Sequence, residues 1–195
     1  MSVPIPLPEP ARGDEAVPAQ RSRGGAVAVA WSLAVAAGTV LLGVVGGFCW
    51  AAAAPRALLV MTSPGAASVI NPETNAFIAA DAAFCLVCLG GGVLSGVLGY
   101  LFAVRRNGPL GMVALLGGAV AAAFVARWVG EQSGLATFRH LLATLPAGAR
   151  LRDTVTLGAS GALGFWPLAT CVVAGGLVLL ARPGRHRARR HARPS

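Results

Sequence analysis

The sequence predicts an all-α fold, an integral membrane four-helix bundle with two outer loops and both termini in the cytoplasm. Four apolar runs without a charged residue cover residues 24–55, 82–104, 107–126 and 154–181. Only 12% of the 195 residues are charged, whereas 55% are hydrophobic. Soluble domains carry about 25% charged residues, so the composition excludes an ordinary soluble protein. The arginines are also distributed unevenly between the segments that join the runs.

Each run reaches the ~20 residues that a helix needs to cross a hydrocarbon core about 30 Å thick. We expect membrane spans at about 27–53, 80–104, 109–128 and 157–181. They form one transmembrane domain, residues 26–182, and leave no room for a separate soluble enzyme domain. The first run could instead be a cleaved signal peptide. It is about twice as long as the 7 to 15 apolar residues of such a peptide, so a span is favoured.

The arginines orient the spans. All sixteen basic residues are Arg, and eleven of them precede the first run, lie between the second and third runs, or follow the fourth. The cytoplasmic segments of membrane proteins carry the Arg excess. This places both termini and the turn at residues 105–109 on the cytoplasmic side of the plasma membrane. The two longer loops then face outward. Because the membrane accounts for the net charge of +9, we expect no nucleic-acid partner.

The two tails differ in composition. Residues 1–25 are rich in proline and lack an apolar period, which predicts a disordered cytoplasmic tail. Residues 183–195 form an Arg-rich tail that we expect to lie against the anionic inner leaflet, each Arg near the surface contributing about 1 kcal/mol of attraction. A stop-transfer anchor would suffice to explain the same charges. The arginines assigned to the lipid surface are Arg182, Arg185, Arg187, Arg189 and Arg190.

The outer loops contain short structural signals. In the first, residues 58–61 and 68–70 predict two strands around a turn at Pro64 and Gly65, and Asn71, Pro72 and Glu73 predict a helix start. The second loop has apolar residues at helical spacing, which predict a short amphipathic helix on the membrane surface. They are Leu135, Phe138, Leu141, Leu142 and Leu145.

Two further features concern the spans themselves. Gly108 and Pro109 make a tight inner turn, so the second and third spans are antiparallel neighbours. In the fourth run, Trp166 and Pro167 mark a helix break, where proline either kinks a long helix or begins a separate part of it. Small residues four apart, such as Gly43 with Gly47, favour close packing between helices.

Four charged residues lie near the outer ends of spans two to four: Asp81, Arg127, Glu131 and Asp153. Ionisable side chains at membrane depth are costly and usually face the bundle interior with a partner. They could line a small ligand pocket that opens to the outside. The favoured interpretation is ion pairing that fixes the helix register, either Arg127 with Glu131 or Asp81 with Arg127.

Asp81, Cys85 and Cys88 share one face of a helix, since they are spaced i, i+4, i+7. Such a face could support thiol exchange or bind a soft metal. Both outer loops lack the cysteines that a thiol relay would need, so buried inert cysteines are favoured. The chain contains no Gly-rich phosphate loop, zinc-ligand spacing or nucleophile paired with a base, and we expect no catalytic residue, metal or cofactor.

The order of these features resembles an uncharacterised family of small four-span membrane proteins of high-GC Gram-positive bacteria, known as a domain of unknown function. The similar features are the span bounded by Pro55, the strand pair, Asp81 followed by Phe84, the Arg-Arg-Asn-Gly-Pro turn at residues 105–109, and Gly-Phe-Trp-Pro-Leu at residues 164–168. The resemblance covers about residues 26–182. It implies a fold and a compartment but no activity.

The sequence therefore favours a non-enzymatic accessory or structural protein of the plasma membrane that contacts the bilayer and another envelope protein. The alternative is a small transporter or ligand-binding membrane protein that uses the polar residues at the outer ends of spans two to four. A thiol oxidoreductase is the third hypothesis.

Overall fold

A computed structural model describes residues 19–63, 65–70 and 75–181, with side chains from Gly25 onward. Within these residues the chain is mostly helical and has four helices long and apolar enough to cross a membrane, as predicted. Which side of a membrane each end faces stays a prediction. The four segments are Gly25–Ala53, Ala76–Asn107, Pro109–Thr144 and Ser160–Leu180.

Helix α1 covers Ala19–Ala53. Helix α2, Ala76–Gly99, continues through a π-helical turn at Tyr100–Val104 into the short α3, Arg105–Asn107. Gly108 then reverses the chain with φ of 57°, a value that favours glycine, and Pro109 is the first residue of α4, Pro109–Gln132. The fourth long segment begins as a 3-10 helix at Ser160–Gly164 and continues as α6, Phe165–Leu180.

Alternate helices of the bundle make the most extensive contacts: α1 packs chiefly on α4, and α2 packs chiefly on α6. Glycines allow these close approaches, because a methyl group on Gly43 of α1 would lie 2.5 Å from the carbonyl oxygen of Ala122. The consecutive segments α2 and α4 also touch, and Gly111 lies against Ala103 near the turn. The predicted second and third spans are thus in contact, but neither is the other's main packing partner.

The two longer connections fold together at one end of the bundle. Strands β1, Leu58–Ser63, and β2, Ala66–Val69, form the predicted hairpin. Strand β3, Arg150–Arg152, comes from the other connection and pairs antiparallel with β1, which gives the sheet order β2-β1-β3. We call residues 54–70 and 133–159 the cap, and we name the two ends of the bundle the cap end and the turn end, after residues 105–109.

Helix α5, Leu135–Thr144, completes the cap. Its apolar residues pack against the sheet residues Leu59, Met61 and Leu151 and give the cap an apolar core of its own. The predicted short helix is therefore present, and its apolar face contacts the sheet. Its location on a membrane surface stays a prediction. The helix residues in this core are Phe138, Leu141 and Leu142, and Leu145 follows them.

Some predictions fall on other parts of the chain. The helix start expected at Pro72, residues 1–18 of the first tail and the whole second tail, including the arginines from Arg182 onward, lie outside the described residues. Residues 19–25, which were expected to belong to a disordered tail, are helical and form the start of α1. The fourth span was expected from residue 157, but residues 157–159 are not helical and the first helical residue is Ser160.

Candidate functional site

The carboxylate of Asp81 holds the chain segment that enters the fourth helix. Asp81 lies near the start of α2, and its Oδ1 and Oδ2 atoms accept hydrogen bonds from the backbone amides of Gly158 and Ala159, each 3.0 Å away. A methyl group on Gly158 would lie 3.2 Å from Oδ2, so the start of α2 and the segment that contains Gly158 are in close contact. Both carboxylate oxygens thus accept hydrogen bonds from backbone amides that have no partner within a helix.

Glu131 holds the same segment from α4. Its Oε1 atom accepts a hydrogen bond from Nε of Arg127 at 3.0 Å, which forms an ion pair one helical turn apart, and a second from the amide of Leu157 at 3.3 Å. Both side chains are about one third exposed, at 36% and 29%. Arg127 therefore pairs along its own helix with Glu131, whereas Asp81 accepts from backbone amides.

Asp153 begins the segment that the other two carboxylates hold. Its amide donates to the carbonyl oxygen of Ala57 at 2.9 Å, and its Oδ1 atom accepts from the amide of Thr154 at 2.7 Å. It also lines a small open cavity of about 260 Å³ together with Arg56, Arg152 and apolar residues of α5 such as Phe138. Asp81, Glu131 and Asp153 thus stabilise successive parts of residues 153–159, and this non-helical segment fixes the cap on the bundle.

A second polar cluster lies deeper in the bundle and was not predicted. Trp166 is 1% exposed, and its Nε1 atom donates to Oγ of Ser95 at 3.3 Å. The hydroxyls of Ser95 and Thr170 are 3.0 Å apart, and Thr170 also donates to the carbonyl oxygens of Gly92 and Trp166. The available signal was the presence of two hydroxyls inside apolar runs, since buried hydroxyls need partners.

Pro167 follows Trp166 in the first turn of α6, where a residue without an amide hydrogen leaves no helical hydrogen bond unmade. A 3-10 helix, Ser160–Gly164, directly precedes Phe165. The fourth segment changes from a 3-10 helix to an α-helix at Phe165, directly before the predicted break at Trp166 and Pro167, and it is helical throughout Ser160–Leu180.

Trp50 fixes three helices near the cap end. It is fully buried, and its Nε1 atom donates to the carbonyl oxygen of Ala80 in α2 at 2.8 Å. Its ring meets Phe84 edge-on with the ring centroids 4.8 Å apart and covers Gly130 of α4. The indole therefore joins α1 to both α2 and α4 directly beneath the cap.

The four cysteines differ in how far their side chains are exposed. Cys88 is buried in the bundle core and Cys85 is half-buried, whereas Cys49 and Cys171 are exposed on the bundle surface. All four are free thiols. Within residues 19–63, 65–70 and 75–181, no group of three His, Cys, Asp or Glu side chains comes together as metal ligands would.

The turn end has its own contacts. The guanidinium carbon of Arg106 lies 5.2 Å from the ring centroid of Trp31, a cation–π distance. Nδ2 of Asn107 donates to the carbonyl oxygen of Ala28 and to Oγ of Ser32, both at 3.1 Å. These contacts tie the turn to α1. An open, mostly apolar groove of about 640 Å³ lies beside the turn, between the π-helical turn and the end of α6.

Comparison of this chain with protein-family models, with curated proteins and with solved structures gives no match.

Proposed function

We propose that this chain is a non-enzymatic accessory protein of a bacterial plasma membrane, which presents its cap outside the cell for contact with another envelope protein. The observation that carries the proposal is that two connections far apart in sequence fold into one cap with its own apolar core. A folded surface of this kind is suited to recognition.

The attachment of the cap to the bundle supports the proposal. Asp81 and Glu131 hold consecutive amides of residues 157–159, and Trp50 packs the helix ends beneath them. A surface held in one geometry loses less conformational entropy when it binds a partner than a mobile loop would. The carboxylates near the cap thus have a role in presenting the surface.

The alternative of a small transporter or ligand-binding protein needs the same carboxylates for a ligand. Both oxygens of Asp81 already accept backbone hydrogen bonds, and Glu131 is paired with Arg127. A ligand would have to displace these contacts and release the segment that joins the cap to α6. The observed geometry therefore favours the accessory role.

The arginine distribution supports the orientation in this proposal. Arg105 and Arg106 are exposed at the turn end, and α6 ends at that same end, where the Arg-rich stretch of the sequence follows. Arg-rich segments are retained in the cytoplasm, which places the cap outside.

Photo-crosslinking in intact cells tests the function. A photoreactive amino acid is placed at Leu58 or Ile70, which are exposed on the cap, and at Leu86 or Val113, which are exposed on the bundle. We expect the same discrete protein adduct from both cap positions and a different pattern from the bundle positions. Recovery of only uncrosslinked protein from the cap positions would overturn the proposal.

A further inference from the structure

The sheet of the cap has one covered face and one uncovered face. Leu59, Met61 and Leu151 point toward α5. Their neighbours on β1 and β3 alternate to the other face, where Leu58 is paired with Arg152 and Val60 with Arg150. Leu58 and Ile70 are 49% and 48% exposed, and both arginines are exposed. Aliphatic and basic side chains thus lie side by side on an uncovered surface, which we call the open face.

Strand β3 is an edge strand of the sheet. The backbone amide of Met61 donates to the carbonyl oxygen of Ala149, and the amide of Asp153 donates to that of Ala57. The backbone amide and carbonyl groups of the odd-numbered residues of β3 therefore point toward β1. The amide and carbonyl groups of Arg150 and Arg152 therefore point away from β1. They are available to pair with another extended chain.

The charged residues of the cap and of the helix ends beneath it differ in whether they have a partner. Asp81 and Asp153 accept hydrogen bonds from backbone amides, and Glu131 is in an ion pair with Arg127. That pair is the one salt bridge among the residues that the structure describes, which leaves Arg150 and Arg152 without a carboxylate partner in this part of the chain. The open face is thus complementary to negative charge.

We propose that the open face binds an extended acidic segment of the partner protein, which lies along β3 and places carboxylates against Arg150 and Arg152. This inference rests on the proposed function, because it names the kind of partner that the cap would contact. Pairing of this type gives affinity through backbone hydrogen bonds and specificity through alternate side chains. Carboxylates would meet the arginines, and apolar side chains would meet Leu58 and Val60.

The open backbone edge of β3 favours a protein partner over an anionic lipid surface. The outward amide and carbonyl groups of Arg150 and Arg152 alternate as hydrogen-bond donors and acceptors along this edge. An extended peptide matches that alternation, whereas lipid phosphate groups only accept hydrogen bonds.

A peptide-binding experiment tests the proposal. The full chain is placed in phosphatidylcholine nanodiscs, and binding of a fluorescein-labelled peptide of alternating Glu and Val is measured by anisotropy. We expect the double variant Arg150→Glu with Arg152→Glu to weaken binding by about tenfold or more. The matched control Arg139→Glu, at an exposed arginine of α5, should change it by less than about twofold.

Reversing both charges sharpens the test. A peptide with Lys in place of Glu should bind the double variant and not the unchanged protein. Equal loss in Arg139→Glu, or no loss in the double variant, would overturn the proposal. Binding of phosphatidylglycerol vesicles in place of the peptide would overturn it in favour of a lipid surface.

The edge pairing has its own pair of variants. Arg150→Ala removes the charge, whereas Arg150→Pro also removes the amide hydrogen at the open edge, a change that edge strands tolerate. We expect the proline variant to bind the peptide more weakly than the alanine variant, and equal binding would overturn the pairing along β3. If the peptide does not bind but protein crosslinks still form from Leu58 and Ile70, only this inference is overturned. Absence of any cap crosslink would sink the proposed function.

Discussion

The indole ring of Trp166 lies directly against Gly91: a methyl group on Gly91 would stand 2.5 Å from the Cη2 atom of the ring. Gly46 of α1 borders the same ring, with Cζ3 at 3.1 Å from a methyl in its place. The indole of Trp166 thus enters a cleft between α1 and α2, which is open because Gly46 and Gly91 have no side chain. Small residues that let neighbouring helices approach closely are the packing expected of helices in lipid.

This cleft predicts a cost for one methyl group. Gly91→Ala should lower the free energy of unfolding by about 1–3 kcal/mol, because Trp166 is fully buried and cannot move aside without disturbing its neighbours. Equilibrium unfolding in mixed detergent micelles measures the effect. The control is Gly90→Ala on the same helix, where an added methyl meets no atom within 4 Å and stability should stay the same or rise. Equal effects at both positions would contradict the packing described.

Asp81→Asn should loosen the segment before the fourth helix. An amide can replace only one of the two accepting oxygens, so one of the amides of Gly158 and Ala159 loses its partner, at a cost of about 1 kcal/mol. Hydrogen exchange at these amides should accelerate several-fold. Asp153→Asn is the control, because Asp153 binds the amide of Thr154 instead. Unchanged exchange in Asp81→Asn would show that the carboxylate does not hold the segment.

Ser95→Ala should destabilise the bundle by about 0.5–2 kcal/mol, since Nε1 of Trp166 and the hydroxyl of Thr170 lose a partner between helices. Thr39→Val is the comparison, because that buried hydroxyl bonds only to Val35 of its own helix. Unfolding in mixed micelles would give the difference. A larger loss in Thr39→Val than in Ser95→Ala would contradict the role of the cluster in joining α2 to α6.

Leu151→Ala should unfold the cap locally, because Leu151 is buried between the sheet and α5, and truncation of a buried leucine costs about 2–5 kcal/mol. Exchange at the amides of Leu59 and Met61 should rise while the bundle keeps its helical circular dichroism. Leu58→Ala, on the uncovered face of the same sheet, should have little effect. Similar exchange in the two variants would argue against a cap with its own core.

Reporter fusions test the orientation. Alkaline phosphatase, which is active only outside the cytoplasm, should be active when fused at residues 65 and 147 and inactive at residues 107 and 195. The expectation follows from the position of the arginines at the turn end. Activity at residue 195 would reverse the proposed arrangement.

The helices and the hairpin were predictable because their signals are local. Uncharged runs of sufficient length define the four helices, and the turn residues beside β1 mark the hairpin. Strand β3 could not be predicted in the same way. It has three residues, and its pairing of Leu58 with Arg152 joins positions far apart in the chain, so no periodicity in either segment indicates it.

The candidate site was predictable in its location and not in its contacts. Asp81 and Glu131 stood out as charges at the ends of apolar runs, and ion pairing was the natural expectation. Their partners include backbone amides of Leu157, Gly158 and Ala159, and an amide gives no signal in a sequence because every residue except proline has one. Ser95 and Thr170 were missed because a hydroxyl in an apolar run is common and only the fold shows that these two meet.

The alternate packing of the helices has a consequence for how the protein is made. As the chain leaves the ribosome, α1 emerges well before α4, its main partner, and α2 must wait for α6, which is the last of these four helices to be synthesised. The first two helices therefore cannot reach their final packing as an early hairpin. A nascent chain that stops after Asn107 would have two glycine-lined faces without their partners, so biogenesis requires that α1 and α2 stay close together until α4 and α6 have been made.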